Sequence, residues 1–274
     1  MCSSDLKIKV HRKGWDKVRE MTIVREKIKI PNLFAQLLPE GIGYIRLLQF
    51  GRKATSDMEA ALEEMQGRGM KAFILDLREN AGGWLQTAVE VVEKFLDARH
   101  LFNLENSALK FIAAGKPSQE LIALFEKNGQ KLSADAKIEV GNSGKWEITF
   151  PEGKNGYSIV QEDGIVKVYE ADKLIVYSKG RDPVKGREYR YFTTSRGTLA
   201  NYPMVVLIDN SSASASEIVA GALQCHRRAS IVGMRSFGKG SVQEPMPLDT
   251  VDGARLKLTI AMYYLPDGRC IHNE

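Results

Sequence analysis

The stretch "DNSSASASEIVAGAL" (209–223) sets Ser212, Ser214 and Ser216, each separated by an alanine, where an apolar run gives way to a helical one. Small residues at such a corner let a polypeptide backbone approach closely. A helix N-terminus adds free N–H groups and the positive end of a dipole, both suited to an oxyanion. The same residues also read as a cap, because Ser214-Ala215-Ser216-Glu217 has the S-x-x-E spacing of a capping box. A second candidate is "DLRENAGGWLQ" (76–86), where Gly82 and Gly83 fall between a buried strand and a helix. Paired glycines there either expose N–H groups to an anion or simply make a tight turn.

A third stretch, "IVGMRSFGKGSVQ" (231–243), is one residue short of a phosphate loop, G-x-x-x-x-G-K-[S/T]. Gly240 follows the lysine where a magnesium-binding hydroxyl belongs, and the next residues, "SVQEPMPLD", hold two prolines and no helical period. No helix dipole would face the phosphates, so the nucleotide reading fails. Lys239 then needs another explanation.

A serine nucleophile usually takes its base from histidine. His226 lies twelve residues after Ser214 on the same expected helix, about 18 Å along its axis at ~1.5 Å per residue. His100 sits far upstream and His272 lies near the end of the chain. A lysine base is the remaining option. Lysine works as a base only when neutral, with its pKa brought from about 10.4 towards roughly 7–8 by burial and the absence of a carboxylate partner. Lys239 fits in kind, between two glycines and with Glu244 as its nearest downstream acid, although a Gly-Lys-Gly can also be a solvated turn.

The elements that must position these groups follow from periodicity. Residues 6–31 alternate as two half-buried strands joined by a polar turn. "GIGYIRLLQF" (41–50) and "KAFILDL" (71–77) read as strands. "TSDMEAALEEMQGRG" (55–69) reads as a helix capped by Ser56 with Glu59 and stopped by Gly67 and Gly69, and "LQTAVEVVEKFL" (85–96) as another helix. Strands are expected again at "LIVYSKG", "REYRYFTT", 204–209, 229–233 and 254–265, and a helix at 215–226. This alternation describes an α/β sheet covered by helices. Between the halves, two helical stretches precede four short strands separated by Gly, Asn and Asp turns, which suggests an α+β insertion over 98–172. Its Trp146 and Tyr157 read as core rather than as a ligand platform.

Composition narrows the function classes. The 274 residues are 43% hydrophobic and 27% charged, as in an ordinary globular protein. The charge of +5 comes from 39 basic and 34 acidic residues scattered along the chain, with no basic stripe for nucleic acid. Cys2, Cys225 and Cys270 are too widely spaced for a zinc site or a disulfide framework. No run approaches the ~18 apolar residues of a membrane helix, and "MCSSDL" is not a signal peptide. Residues 1–6 resemble the translation of a sequencing adapter and are expected to be non-native. Both ends read as cut, so the chain is expected to be a fragment.

Taken in order, "GYIRLLQF", "FILDLRENAGG", "VVLIDNSSASASEIVAGALQ", "IVGMRSFGKGSVQ" and "LTIAMYYLPDGR" resemble the carboxy-terminal processing, or tail-specific, proteases. The resemblance implies a ClpP/crotonase-like protease core (33–97 and 173–274), with 98–172 inserted and 1–32 the last strands of a PDZ domain. It implies a serine endopeptidase cleaving proteins near their C-terminus through an acyl-enzyme, with Ser214 as nucleophile, Lys239 as base and Gln243 orienting the lysine. Oxyanion donors would be the N–H of Ala215 and that of Gly82 or Gly83. No cofactor, metal, nucleotide or nucleic acid is implied. The implied partners are protein or peptide substrates held at their C-terminus, with room for an oligomer. The implied location is the cell envelope, periplasm or another extracytoplasmic space. Ala81 departs from the proline usual there. The alternative is a non-catalytic ligand- or peptide-binding relative of the same fold, in which one of Ser214, Lys239 and Gln243 would be expected to be lost.

Overall fold

The structure, a computed structural model, describes residues 6–24, 31–140, 145–150, 156–162, 164–180, 188–194, 197, 199–247 and 254–273. The chain divides into two compact units, Met1–Pro31 and Asn32–Glu274. In the first, β1 (Leu6–Val10) and β2 (Arg19–Ile23) form an antiparallel pair with Ile8 opposite Met21. The second half of the expected second strand, 25–30, lies outside the described residues. Every residue of β2 is exposed, so the alternation there does not mark a buried face.

The second unit opens with β3 (Leu33–Leu38) and β4 (Ile42–Leu47), an antiparallel pair, followed by α1 (Ala54–Gly67), β5 (Ala72–Asp76) and α2 (Leu85–Glu93). The chain continues through β6 (Arg99–Leu104), α3 (Gln119–Lys127), β7 (Lys137–Val140), β8 (Trp146–Thr149), β9 (Tyr157–Glu162) and β10 (Ile165–Glu170). It closes with β11 (Leu174–Gly180), β12 (Glu188–Phe192), β13 (Met204–Ile208), α4 (Ala215–Cys225), β14 (Ser230–Gly233), β15 (Ser241–Pro247) and β16 (Arg255–Tyr264).

Three sheets result. The central one runs β14-β13-β5-β4-β3, with β4, β5, β13 and β14 parallel. Its strands are short apolar runs, "AFILD" and "MVVLI", as buried parallel strands require. The first helix starts one residue earlier than expected, and Ser56 does not cap it. Its hydroxyl donates to Lys53 O at 3.0 Å from inside the first turn. A second sheet, β12-β11-β16-β15, takes in Pro245 and Pro247 because β15 is its edge, where no ladder hydrogen bond is lost to a proline. The third, β6-β10-β9-β8-β7, belongs to residues 99–170 and closes its own apolar cluster around Phe125, Ile138, Ile148 and Ile159. Tyr157 joins that cluster, 4.9 Å from Phe125 between ring centroids, and Trp146 packs partly buried against it. "SALKFIAAG" forms a 3-10 turn over Asn106–Phe111 rather than an α-helix.

The main core unites the central sheet with α1, α2 and α4. Phe73 of β5 stacks on Phe95, just beyond α2, at 5.5 Å, and both are at most 1% exposed. This contact fixes α2, and hence the Gly82–Gly83 turn before it, against the sheet. Phe73→Ala should therefore cost about 3–5 kcal/mol of stability, measured by urea unfolding. A loss below about 1 kcal/mol would show that this packing does not anchor the helix.

Candidate active site

Three loops meet at the carboxyl ends of β5 and β13 and just beyond β14. They are 77–84, 209–214 and 234–240. Ser214 is the N-cap of α4 with φ 56° and ψ −111°, a left-handed conformation rare for a side chain with a Cβ. Such strain at a strand-to-helix turn pushes a serine side chain out of the elbow. Ser214 is partly exposed, whereas Ala213, Ala215 and Ser216 around it are buried.

Three polar groups hold the loops together, two of them buried and one, Asp209, partly exposed. Asn80, fully buried, receives the Gly82 N–H on Oδ1 at 2.8 Å and donates Nδ2 to Leu47 O at 2.7 Å. Its carbonyl accepts Ala213 N at 3.0 Å and Ser216 Oγ at 2.8 Å. Asp209 Oδ1 accepts the N–H groups of Glu79, Ser211 and Ser212, each at 3.0 Å. Burial alone would raise this carboxyl, but the amide and hydroxyl donors outweigh it and hold it below the usual aspartate range. The third group is Glu217, 6% exposed. Its Oε2 takes the amides of Ser214 at 2.7 Å and Lys239 at 2.8 Å. Its Oε1 takes Gly238 N at 2.6 Å and Ser236 Oγ at 2.7 Å.

Glu217 is thus more than the capping-box partner its spacing suggests. Two residues 25 positions apart donate to one oxygen, so their backbone nitrogens can be no further apart than the sum of those two bonds. The 234–240 loop is braced from its other side by Asn273, whose N–H donates to Gly238 O at 3.0 Å and whose Nδ2 donates to Phe237 O at 2.7 Å. Gly238 has φ 89°, and a Cβ there would lie 2.1 Å from Asn273 Nδ2, so the loop tolerates only glycine at that point.

Gly82 sits against the serine. A Cβ on it would come within 2.7 Å of Ala213 O and 2.9 Å of both Ala215 N and Ser214 Cβ. Its own N–H is taken by Asn80. The N–H groups of Gly83 and Ala215 have no acceptor among the described residues, since the bridge between Phe50 and Gly83 uses Gly82 O and Trp84 N. One of these donors follows Ser214 in the chain, and the other follows Gly82, which packs against it.

The remaining predicted residues stand as follows. Lys239 is exposed, and its ammonium makes no hydrogen bond or ion pair with any described residue, Ser214 included. Gln243, at the start of edge strand β15, donates Nε2 to Thr259 Oγ1 at 3.5 Å, a contact at the limit of a hydrogen bond. His226 caps the far end of α4 with Nε2 2.7 Å from Leu174 O, which occupies it away from the serine. Beneath the site, Asp76 is fully buried and accepts Tyr44 OH at 2.7 Å and Arg78 Nη2 at 2.6 Å. Burial works against this carboxylate, but the Arg78 and Tyr44 hydrogen bonds prevail and lower its pKa. Sequence reading missed the roles of Asn80, Asp209 and Asn273, because a polar residue that serves distant loops has no local spacing to reveal it.

This arrangement places the chain among known proteins. Residues 41–119 and 156–274 match Peptidase family S41, and the chain belongs to that family. The carboxy-terminal-processing protease of Bartonella bacilliformis is 33% identical over 267 residues, 96% of this chain and 43% of that protein. The carboxy-terminal processing protease CtpB of Bacillus subtilis is 26% identical over 274 residues, 99% of this chain and 41% of that protein. This chain thus spans less than half the length of these relatives. Among solved structures, the photosystem II D1 C-terminal processing protease superposes with a TM-score of 0.55 at 22% identity, covering 98% of this chain and 53% of its own. A putative S41 protease from Bacteroides fragilis gives 0.52 at 14%, covering 97% and 55%. These two likenesses establish the expected α/β fold class. Residues 120–155, from α3 to just past β8, fall outside the family match.

Two measurements test the scaffold. Glu217→Gln keeps one acceptor oxygen and leaves donors of the other unmatched. It should lower stability by about 1–3 kcal/mol and speed hydrogen exchange at the Gly238 and Lys239 amides. Unchanged exchange would separate Glu217 from the lysine loop. Asp76 contributes stability that is present above the ordinary aspartate pKa of 3.8 and is lost as pH falls through its lower folded value. Asp76→Asn should therefore be least stable relative to the parent near neutral pH, with the gap narrowing below about pH 4. A gap independent of pH would contradict the assigned bonds.

Proposed function

We propose that the intact protein is a serine endopeptidase that cuts protein substrates near their C-terminus, with Ser214 as nucleophile and Lys239 as general base. Membership of family S41 supports a peptidase of serine type. The observation that carries the finer reading is the shared Glu217 oxygen, which draws the backbones of Ser214 and Lys239 together. The strained backbone of Ser214 and the unspent N–H groups of Ala215 and Gly83 support the same reading.

In this mechanism Ser214 Oγ attacks the substrate carbonyl while its proton passes to the neutral amine of Lys239. The tetrahedral oxyanion is held by the N–H groups of Ala215 and Gly83, a term worth about 3–4 kcal/mol per donor in comparable sites. Gly83 is preferred over Gly82, whose N–H is committed to Asn80. Lys239 then passes the proton to the departing amine, the C–N bond breaks, and the acyl group stays on Ser214. Water, deprotonated by Lys239, releases the product. The contact between Lys239 and Ser214 closes when substrate is bound, as catalytic hydrogen bonds often do. Gln243 leaves its weak contact with Thr259 to orient the lysine, and it adds no charge that would favour the ammonium form.

Substrate capture at a free C-terminus and an extracytoplasmic location belong to the same proposal. A relative in Arabidopsis thaliana is named as chloroplastic. Lys239→Ala in the full-length protein should reduce cleavage of a tagged, unstructured substrate by at least about 10³-fold, in line with the loss of a general base plus misplacement of its proton, with the melting temperature unchanged. Cleavage at the normal rate would overturn the assignment.

A further inference from the structure

A cavity of about 1170 Å³ lies between the sheet of residues 99–170 and the main core, away from the Ser214 loops but along α2, whose N-cap is Trp84. It exceeds the ~300–1,000 Å³ of small-molecule sites. One wall is α2, through Gln86 and Val89, and another is β8 with the residue after it, Glu147 to Phe150. The third is β12. All five of its residues, Glu188 to Phe192, line the cavity. Side chains of a strand alternate between faces, so five consecutive lining residues mean that the strand presents its edge. β12 is the edge of its sheet, hydrogen-bonded only to β11 among the described residues. Among the described residues its outer N–H and C=O groups have no partner, which leaves them to an added strand.

The charges in the wall are unequal in their partners. Glu93 is matched by Lys145 and by Thr194, and Glu188 by Arg190. Glu147 has no hydrogen bond or ion pair among the described residues. Burial pushes its carboxyl above the ordinary glutamate range. Lys145 opposes that, while Glu93 and Glu139 add to it. An unmatched, partly buried carboxylate beside tyrosines favours a cation from outside.

We propose that this cavity is an accessory substrate site, in which an extended polypeptide segment pairs with the open edge of β12, sets a lysine or arginine against Glu147 and rests apolar neighbours on Tyr189 and Tyr191. The site deepens the peptidase reading and rests on it for the identity of the occupant. The wall from Glu147 to Phe150 falls in 120–155, outside the family match.

Binding is measured by fluorescence anisotropy on full-length protein carrying Ser214→Ala, with two labelled peptides that differ only by Lys or Gln between aromatic residues. The Lys peptide should bind at least tenfold more tightly. Adding Glu147→Gln should reduce that ratio below twofold with the Gln peptide unchanged, and Glu147→Lys should favour a Glu peptide instead. N-methylation of alternate peptide amides should weaken binding by a similar factor. Equal affinities for the Lys and Gln peptides, or a preference that survives Glu147→Gln, would overturn the site. Equal affinities are also the result expected if another part of the protein fills the cavity. Cleavage by the Ser214 form is scored separately. Cleavage without a Lys preference removes the site and leaves the peptidase, whereas Lys-selective binding without any cleavage removes the peptidase and leaves the site.

Discussion

One buried carboxylate governs the geometry on which everything else depends. Glu217 accepts four donors, one from Ser214 and three from residues 236–239, and the same two loops are joined again by Phe237 N–H, which donates to Ser212 O at 3.0 Å. A carboxylate accepting several N–H bonds in a dry site is held firmly, because each donor would otherwise be buried without a partner. The position of the lysine loop relative to the serine is thus set by backbone amides rather than by the lysine side chain. The Lys239 side chain itself pairs with no carboxylate among the described residues.

Around this group the fold supplies rigid supports. Asn80 locks the glycine turn to the serine turn, and Asp209 locks the serine turn to the end of β5. Both work at the carboxyl ends of parallel strands, where open α/β sheets place their ligand sites. The glycine turn and serine turn are then held closely enough that Gly82 has no room for a Cβ. Strain at Ser214 is tolerated because hydrogen bonds on both sides fix its position.

Much of this was legible in the residues. The parallel strands read as unbroken apolar runs, and the serine, lysine and glycine pair stood at strand ends because apolar periodicity stopped there. The S-x-x-E spacing exposed Glu217, although only as a cap. Its wider role depends on a loop that folds back from 25 residues away, and local spacing carries no record of that. β3 was hidden because "LFAQLL" lacks alternation, and β15 because its prolines read as strand breakers when the edge position makes them harmless. Exposure of β1 and β2 shows the converse, that alternation marks a strand without proving a buried face. The open edge of β12 and the unmatched Glu147 are properties of sheet order and of burial, visible only in three dimensions.

The most direct test of the account is to find the acyl group. Full-length protein is mixed with a limiting peptide substrate, quenched in acid within one turnover, and digested for tandem mass spectrometry. The account predicts a substrate-derived acyl group on Ser214, accumulating and decaying in step with product. Turnover with the acyl group on a different side chain, or complete turnover with none at any quench time, would contradict it.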